Sequence, residues 1–139
     1  MSDTIEVDLS HIENKEVQGA GEIKENGWQR VSLWQQVNDG MWGDDALAGF
    51  TSYYEKPGTQ WKAEISYYVE QTTTDNLPEV RPAFVVEMHW EVWRDEHNDQ
   101  HDLEMGTDYG SVMYYDSFEA AWHEATRLGK MDESYALNV

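Results

Sequence analysis

The sequence predicts an α+β domain: an antiparallel sheet of about five or six strands with a C-terminal helix packed on one face. Three observations carry that expectation. Apolar residues recur at period two over residues 61–70 and again over residues 83–93, the longest alternating stretch in the chain. A hairpin turn, Lys56-Pro57-Gly58-Thr59, joins the first of these to another β-rich segment. After Asp116 the period lengthens to that of a helix, with Phe118, Ala121, Trp122, Ala125 and Leu128 along one stripe. At 139 residues the chain suits one domain, 1–139, of which 1–27 is the polar and least regular part.

In chain order, Ile5, Val7 and Leu9 alternate with Glu6 and Asp8, which predicts a short edge strand over residues 4–9 with outward carboxylates. Residues 13–25 show no clear period, and a second short strand or a loop falls near residues 17–23. Asn26-Gly27 is a turn dipeptide, and residues 28–37 after it alternate as a strand. There Gln29, Val31, Leu33, Gln35 and Val37 stand opposite Trp28, Arg30, Ser32, Trp34 and Gln36. The turn formers of residues 38–45 predict a loop, in which Trp42 is either a recognition anchor or a plug folded back on the core. Residues 46–55 form the next strand, returned through the Pro57-Gly58 turn by residues 61–70. Pro78 and Pro82 hold off regular structure until the central strand begins at Ala83. Residues 94–102 are too polar for a core element and read as a hairpin tip. The chain returns through 103–105 or 111–115, with Gly106 to Gly110 as an interruption. Asp116 and Glu119 fit a capping box for a helix over residues 117–128, with Gly129 as its C′ residue.

Charge is the outlier of the composition. Acidic residues number 28 against 9 basic ones, a net charge of −19, yet seven Trp and eight Tyr argue for a folded chain. Such a field repels nucleic acid and anionic membrane and attracts basic surfaces. A cationic partner, adaptation to a salty interior, or plain solubility each account for it. Salt adaptation fits least, because Glu outnumbers Asp and Trp is abundant. The chain has no cysteine, and therefore no disulfide framework and no thiolate site. Its first residues are acidic, without the basic and apolar regions of a signal peptide, and no apolar run approaches the ~20 residues of a membrane span. A soluble, cytoplasmic protein is the expectation.

No nucleophile elbow, P-loop, dinucleotide fingerprint or zinc-protease helix motif is present, so no enzyme and no cofactor is expected. His97 and His101, spaced i, i+4 among Asp95, Glu96, Asp99, Asp102 and Glu104, are the strongest metal candidates. Without an apolar face to hold a helical turn, they read instead as a solvated acidic tip. Glu87, His89 and Glu91 share one strand face, but acid–base chemistry needs a cleft that an open sheet does not supply.

The same face serves binding better. Same-side neighbours on a strand lie about 6.6 Å apart, comparable with the path between successive phosphates of a nucleic-acid strand. Glu87 and Glu91, beside Glu64 and Glu70 on a neighbouring strand, therefore make a candidate phosphate-like array. Asp95, Glu96, Asp99, Asp102 and Glu104 extend it at the loop, and Asp39, Asp44 and Asp45 add to it. Trp42, Tyr68 and Trp93 are candidate anchors among these charges.

In charge and size the chain resembles DNA-mimic proteins of phages and mobile elements, which block restriction or CRISPR machinery. That resemblance implies an inhibitor engaging a basic nucleic-acid-binding protein or effector complex, with no direct binding to nucleic acid or membrane. An immunity protein or antitoxin against a basic nuclease has the same physics. A metal-dependent enzyme using His89, His97 and His101, or a domain that oligomerises through its aromatic-rich sheet, are the alternatives from other classes.

Overall fold

A computed structural model describes residues 5–17, 24–25, 27–40, 42–75, 77–96, 100–108 and 113–130, with the backbone alone at 24–25, 95–96 and 100–108. Five long strands form an antiparallel meander: β3 (Trp28–Val37), β4 (Ala46–Glu55), β5 (Trp61–Thr73), β6 (Pro82–Glu96) and β7 (Gln100–Asp108). Two two-residue strands, β1 (Lys15–Glu16) and β2 (Lys24–Glu25), both pair with β3 on its outer edge. Helix α1 (Phe118–Lys130) packs against β4, β5 and β6. This is the α+β arrangement that the periodicities predict.

Alternation decides which residues meet the helix. Ala48 and Phe50 of β4, Val69 of β5 and Phe84 of β6 form a buried core with Phe118, Ala121 and Ala125 of α1. Phe50 and Phe118 each stack with Trp122, at centroid distances of 4.8 and 5.7 Å, and Phe84 meets Phe118 edge-on at 6.3 Å. Each such side chain contributes about 1.5–3 kcal/mol by leaving water. Further along the same face, Trp28, Tyr54, Ala63, Ile65, Tyr67, Met88 and Val92 form a second cluster, reached from the helix by Leu128.

Several local expectations are corrected. Strict alternation in β3 puts Trp28 and Arg30 opposite Leu33, but all three are buried. A bulge between Arg30 and Ser32 absorbs one residue, turns the strand over and leaves Val31 50% exposed. Residues 5–9 form no strand, because their backbone finds another partner. The Gln71 side-chain amide accepts from Ile5 N (3.0 Å) and donates to Ile5 O (2.7 Å). Of the segment proposed near residues 17–23, only Val17 is described, and its N–H donates to Leu33 O at 2.8 Å.

The polar stretch after Trp93 is no long loop. β6 and β7 stay in register from Met88↔Asp108 to Glu96↔Gln100, through Gly106. A ladder needs only backbone groups, so at a solvated hairpin end hydropathy loses its power to mark strands.

The helix ends differ as well. Ser117, rather than Asp116, caps α1: its Oγ accepts from Ala120 N at 3.2 Å. Asp116 is held by Arg81, whose Nη2 lies 3.1 Å from its Oδ1. Gly129 lies within the helix, where an added Cβ would stand 2.9 Å from Phe50 Cβ, so close packing explains the glycine. Its carbonyl accepts from Nη1 of the buried Arg30 at 2.9 Å, which ties the helix C-terminus to β3.

Candidate functional site

The helix covers one face of the meander; the other carries polar rows, with Thr51, Ser66 and Tyr68 buried at its centre and Glu64, Glu70, Glu87 and Glu91 partly exposed. Register builds that face row by row. Glu64 of β5 pairs with Glu91 of β6, Ser66 with His89, and Tyr68 with Glu87. On the β4 side, Tyr53 pairs with Glu64, Thr51 with Ser66, and Gly49 with Tyr68.

Hydrogen bonds run across these rows. Gln36 Nε2 donates to Thr51 Oγ1 at 3.0 Å, and Thr51 Oγ1 shares a hydrogen bond with Ser66 Oγ at 2.8 Å. Tyr68 OH donates to Glu87 Oε2 at 3.0 Å. Gly49 makes room for this. A Cβ there would stand 2.4 Å from Tyr67 O and 2.5 Å from Tyr68 Cβ.

The 38–45 loop closes over one end. Asn38 organises it: its Oδ1 accepts from Gly40 N and Trp42 N, and its Nδ2 donates to Gly43 O and Ala46 O. Gly40 and Gly43 take φ of 102° and 93°, which L side chains rarely adopt. The loop thereby lays the half-buried Trp42 on the Tyr68 ring, with centroids 5.2 Å apart and planes within 7°. Trp42 is folded back on the sheet and remains beside the carboxylates.

The carboxylates come in two pairs. Burial pushes Glu70 up to about 7, and its hydrogen bond with Glu87, the Glu87 charge and the Asp45 charge all act in the same direction. Burial also raises Glu64, with the facing Glu91 opposing its ionisation. Tyr53 is raised by burial and then by Glu64. Along β6 the two pairs stand about 13 Å apart, two of the ~6.6 Å same-face steps, with His89 between them. The array is two doublets rather than an even row.

Other candidates fall in different places. Trp93 pairs with Lys62 on the same face, in the row beyond Glu64 and Glu91. Asp39, Asp44 and Asp45 are exposed in the loop that holds Trp42. Asp95 and Glu96 end β6. Asp102 and Glu104 of β7 pair with Arg94 and Val92, β6 positions on the helix side, where Arg94 stacks over Trp61. Leu103 and Met105 are the β7 residues in register with Trp93 and Glu91. His101 pairs with Asp95, and His97 and Asp99 lie outside the described residues. Among the described residues, no three His, Asp or Glu are placed to hold a metal ion.

The sequence reading missed Trp34, 38% exposed and paired with Thr51, as well as the Gln36–Thr51–Ser66 chain. Small hydroxyl residues at alternate positions of neighbouring strands were the available signal. A cavity of about 410 Å³ also escaped notice. It lies between residues 5–11 and the start of α1, over Phe84 and Phe118, with Glu6, His11 and Glu119 among its lining. Asp8 there accepts from Ser10 N, and hydrogen bonds with Ser10 lower its pKa.

Comparison with protein-family models, with curated proteins and with solved structures finds no match.

Proposed function

We propose that this chain is a non-enzymatic inhibitor whose open sheet face occupies the basic, nucleic-acid-binding cleft of a target protein. One observation carries the reading: two carboxylate doublets, Glu64/Glu91 and Glu70/Glu87, stand on the sheet face that the helix leaves uncovered. Around them the chain carries a net charge of −19. Bringing such carboxylates together is unfavourable in the free protein. A cationic partner relieves the repulsion, which favours fast, salt-sensitive association. Trp93 and Trp34 flank the doublets as apolar anchors of the kind that concentrate binding energy. The site of action is the cytoplasm, where nucleic-acid-acting machinery resides. In charge and size the chain resembles proteins of phages and mobile elements that disable restriction or CRISPR effectors. Among the described residues, no helix is long and apolar enough to cross a membrane.

The test is capture by the tagged protein from nuclease-treated bacterial lysate. One basic nucleic-acid enzyme or effector complex should be retained stoichiometrically and displaced by DNA or RNA. Against that target, Glu87→Lys and Glu91→Lys should each raise Kd at least about tenfold, a loss of about 1.4 kcal/mol, mainly through slower association. Equal affinity of both variants, or a complex indifferent to added nucleic acid, rejects the reading.

A further inference from the structure

The end of the sheet face beneath Trp42 joins a loop, two strands and a pair of carboxyl groups. Trp42 stacks on Tyr68. Tyr68 OH donates to Glu87. Glu70 lies diagonally across from Glu87, since Glu70 pairs with Val85 and Tyr68 with Glu87, and Glu87 raises the Glu70 carboxyl through hydrogen bonding and charge. The loop stands over the same spot, because Ala46, where it re-enters the sheet, pairs with Glu70, and Asp45 before it adds a third acidic charge. From these contacts we infer that the Glu70–Glu87 pair is a pH-sensitive latch, which holds Trp42 closed on Tyr68 while it holds a proton and releases it when that proton is lost.

The direction follows from solvation and repulsion. Burial is the largest cause that keeps Glu70 protonated, so its ionised form gains by admitting water. The side of the site open to movement is the loop, since β5 and β6 are locked together along their whole register. Once Glu70 ionises, it also repels Glu87 and Asp45, and Asp45 belongs to that loop. The charged groups at this end come from three places. β5 gives Glu70 and Tyr68, β6 gives Glu87 and then His89, and the loop gives Asp45 with Asp44 and Asp39 beyond it. From β3 and β4 the described residues at this end are uncharged: Gln36, Val37, Leu47 and Gly49. The groups that act on Glu70 are Glu87 and Asp45, both acidic. Opening need not unfold the loop, because Asn38 keeps its four hydrogen bonds while the indole swings away.

The latch does not depend on the proposed inhibitor role, and its test needs no partner. The indole ¹H–¹⁵N resonance of Trp42, assigned by its loss in Trp42→Phe, is followed from about pH 5.5 to about pH 8.5. Acrylamide quenching is compared between wild type and Trp42→Phe over the same range. A single step with a midpoint near the Glu70 value of about 7 is expected, with quenching of Trp42 several-fold stronger on the alkaline side. Glu70→Gln should abolish the step and keep Trp42 protected throughout. His89, the neighbouring side chain along β6, supplies the control: His89→Asn should leave the step in place. A flat profile in wild type, an undiminished step in Glu70→Gln, or a step lost in His89→Asn overturns the latch. Carboxyl resonances of Glu70 that titrate at a midpoint different from the indole overturn it too.

Discussion

Position 49 shows how closely the open face is built. An alanine Cβ would meet the Tyr67 carbonyl and the Tyr68 Cα and Cβ well inside contact distance, and these backbone-anchored atoms of β5 leave little room to yield. Gly49→Ala should therefore cost about 1–3 kcal/mol, as overpacking does, seen as a lower urea midpoint at unchanged slope. Because Tyr68 carries Trp42, the same variant should expose the indole. The acidic residues of the face were legible one strand at a time: Glu87 and Glu91 share a parity, as do Glu64 and Glu70. Nothing in that parity says that Glu64 faces Glu91, or that Glu70 lies diagonally across from Glu87. Those relations depend on register, which the hairpin turns and the core packing set.

At the scale of elements, strands and helix were legible where one face is apolar and the other polar. β3 beyond its bulge, the start of β5 and the middle of β6 follow their alternation, and α1 follows its Phe118–Ala121–Trp122–Ala125 stripe. Ends were less legible, since they depend on single hydrogen bonds. Asp116 and Ser117 are both good caps by type, and the ion pair with Arg81 takes Asp116 out of contention. Ser117→Ala should thus cost about 1 kcal/mol of stability, while Asp116→Ala should cost less than that, a ranking that thermal unfolding checks directly. The β3 bulge had no apolar signature. It showed only as a conflict, with Trp28 and Leu33 falling on opposite parities though both are large enough to demand burial.

For the whole molecule, charge sets how stability responds to solution conditions. Glu70 holds its proton up to about 7 in the folded state against an ordinary value of 4.5, and Glu64 is shifted in the same direction. Between those limits the folded state binds more protons than the unfolded one. This contribution is full below the ordinary value and is lost as pH rises through the folded value. The melting temperature should accordingly fall as pH rises from about 4.5 to about 7, and the fall should shrink in Glu70→Gln. Added salt should raise the melting temperature at neutral pH, because screening shortens from ~10 Å at 0.1 M to ~3 Å at 1 M and relieves the self-repulsion of a chain with net charge −19. A melting temperature that is flat in both pH and salt would mean that neither the doublets nor the net charge strains the fold.

The sequence by itself determined the class of fold, the order of its main elements and the acidity of its surface. All three follow from local periodicity and composition, which each segment carries independently of the rest. Which carboxylates meet, which face the helix covers, and the closing of Trp42 onto Tyr68 beside them come from the tertiary structure alone. The physical reason is that sheet register and helix docking are cooperative: no strand can choose its cross-strand neighbours until the others are in place. The approach of Glu70 to Glu87 exists only after that choice is made.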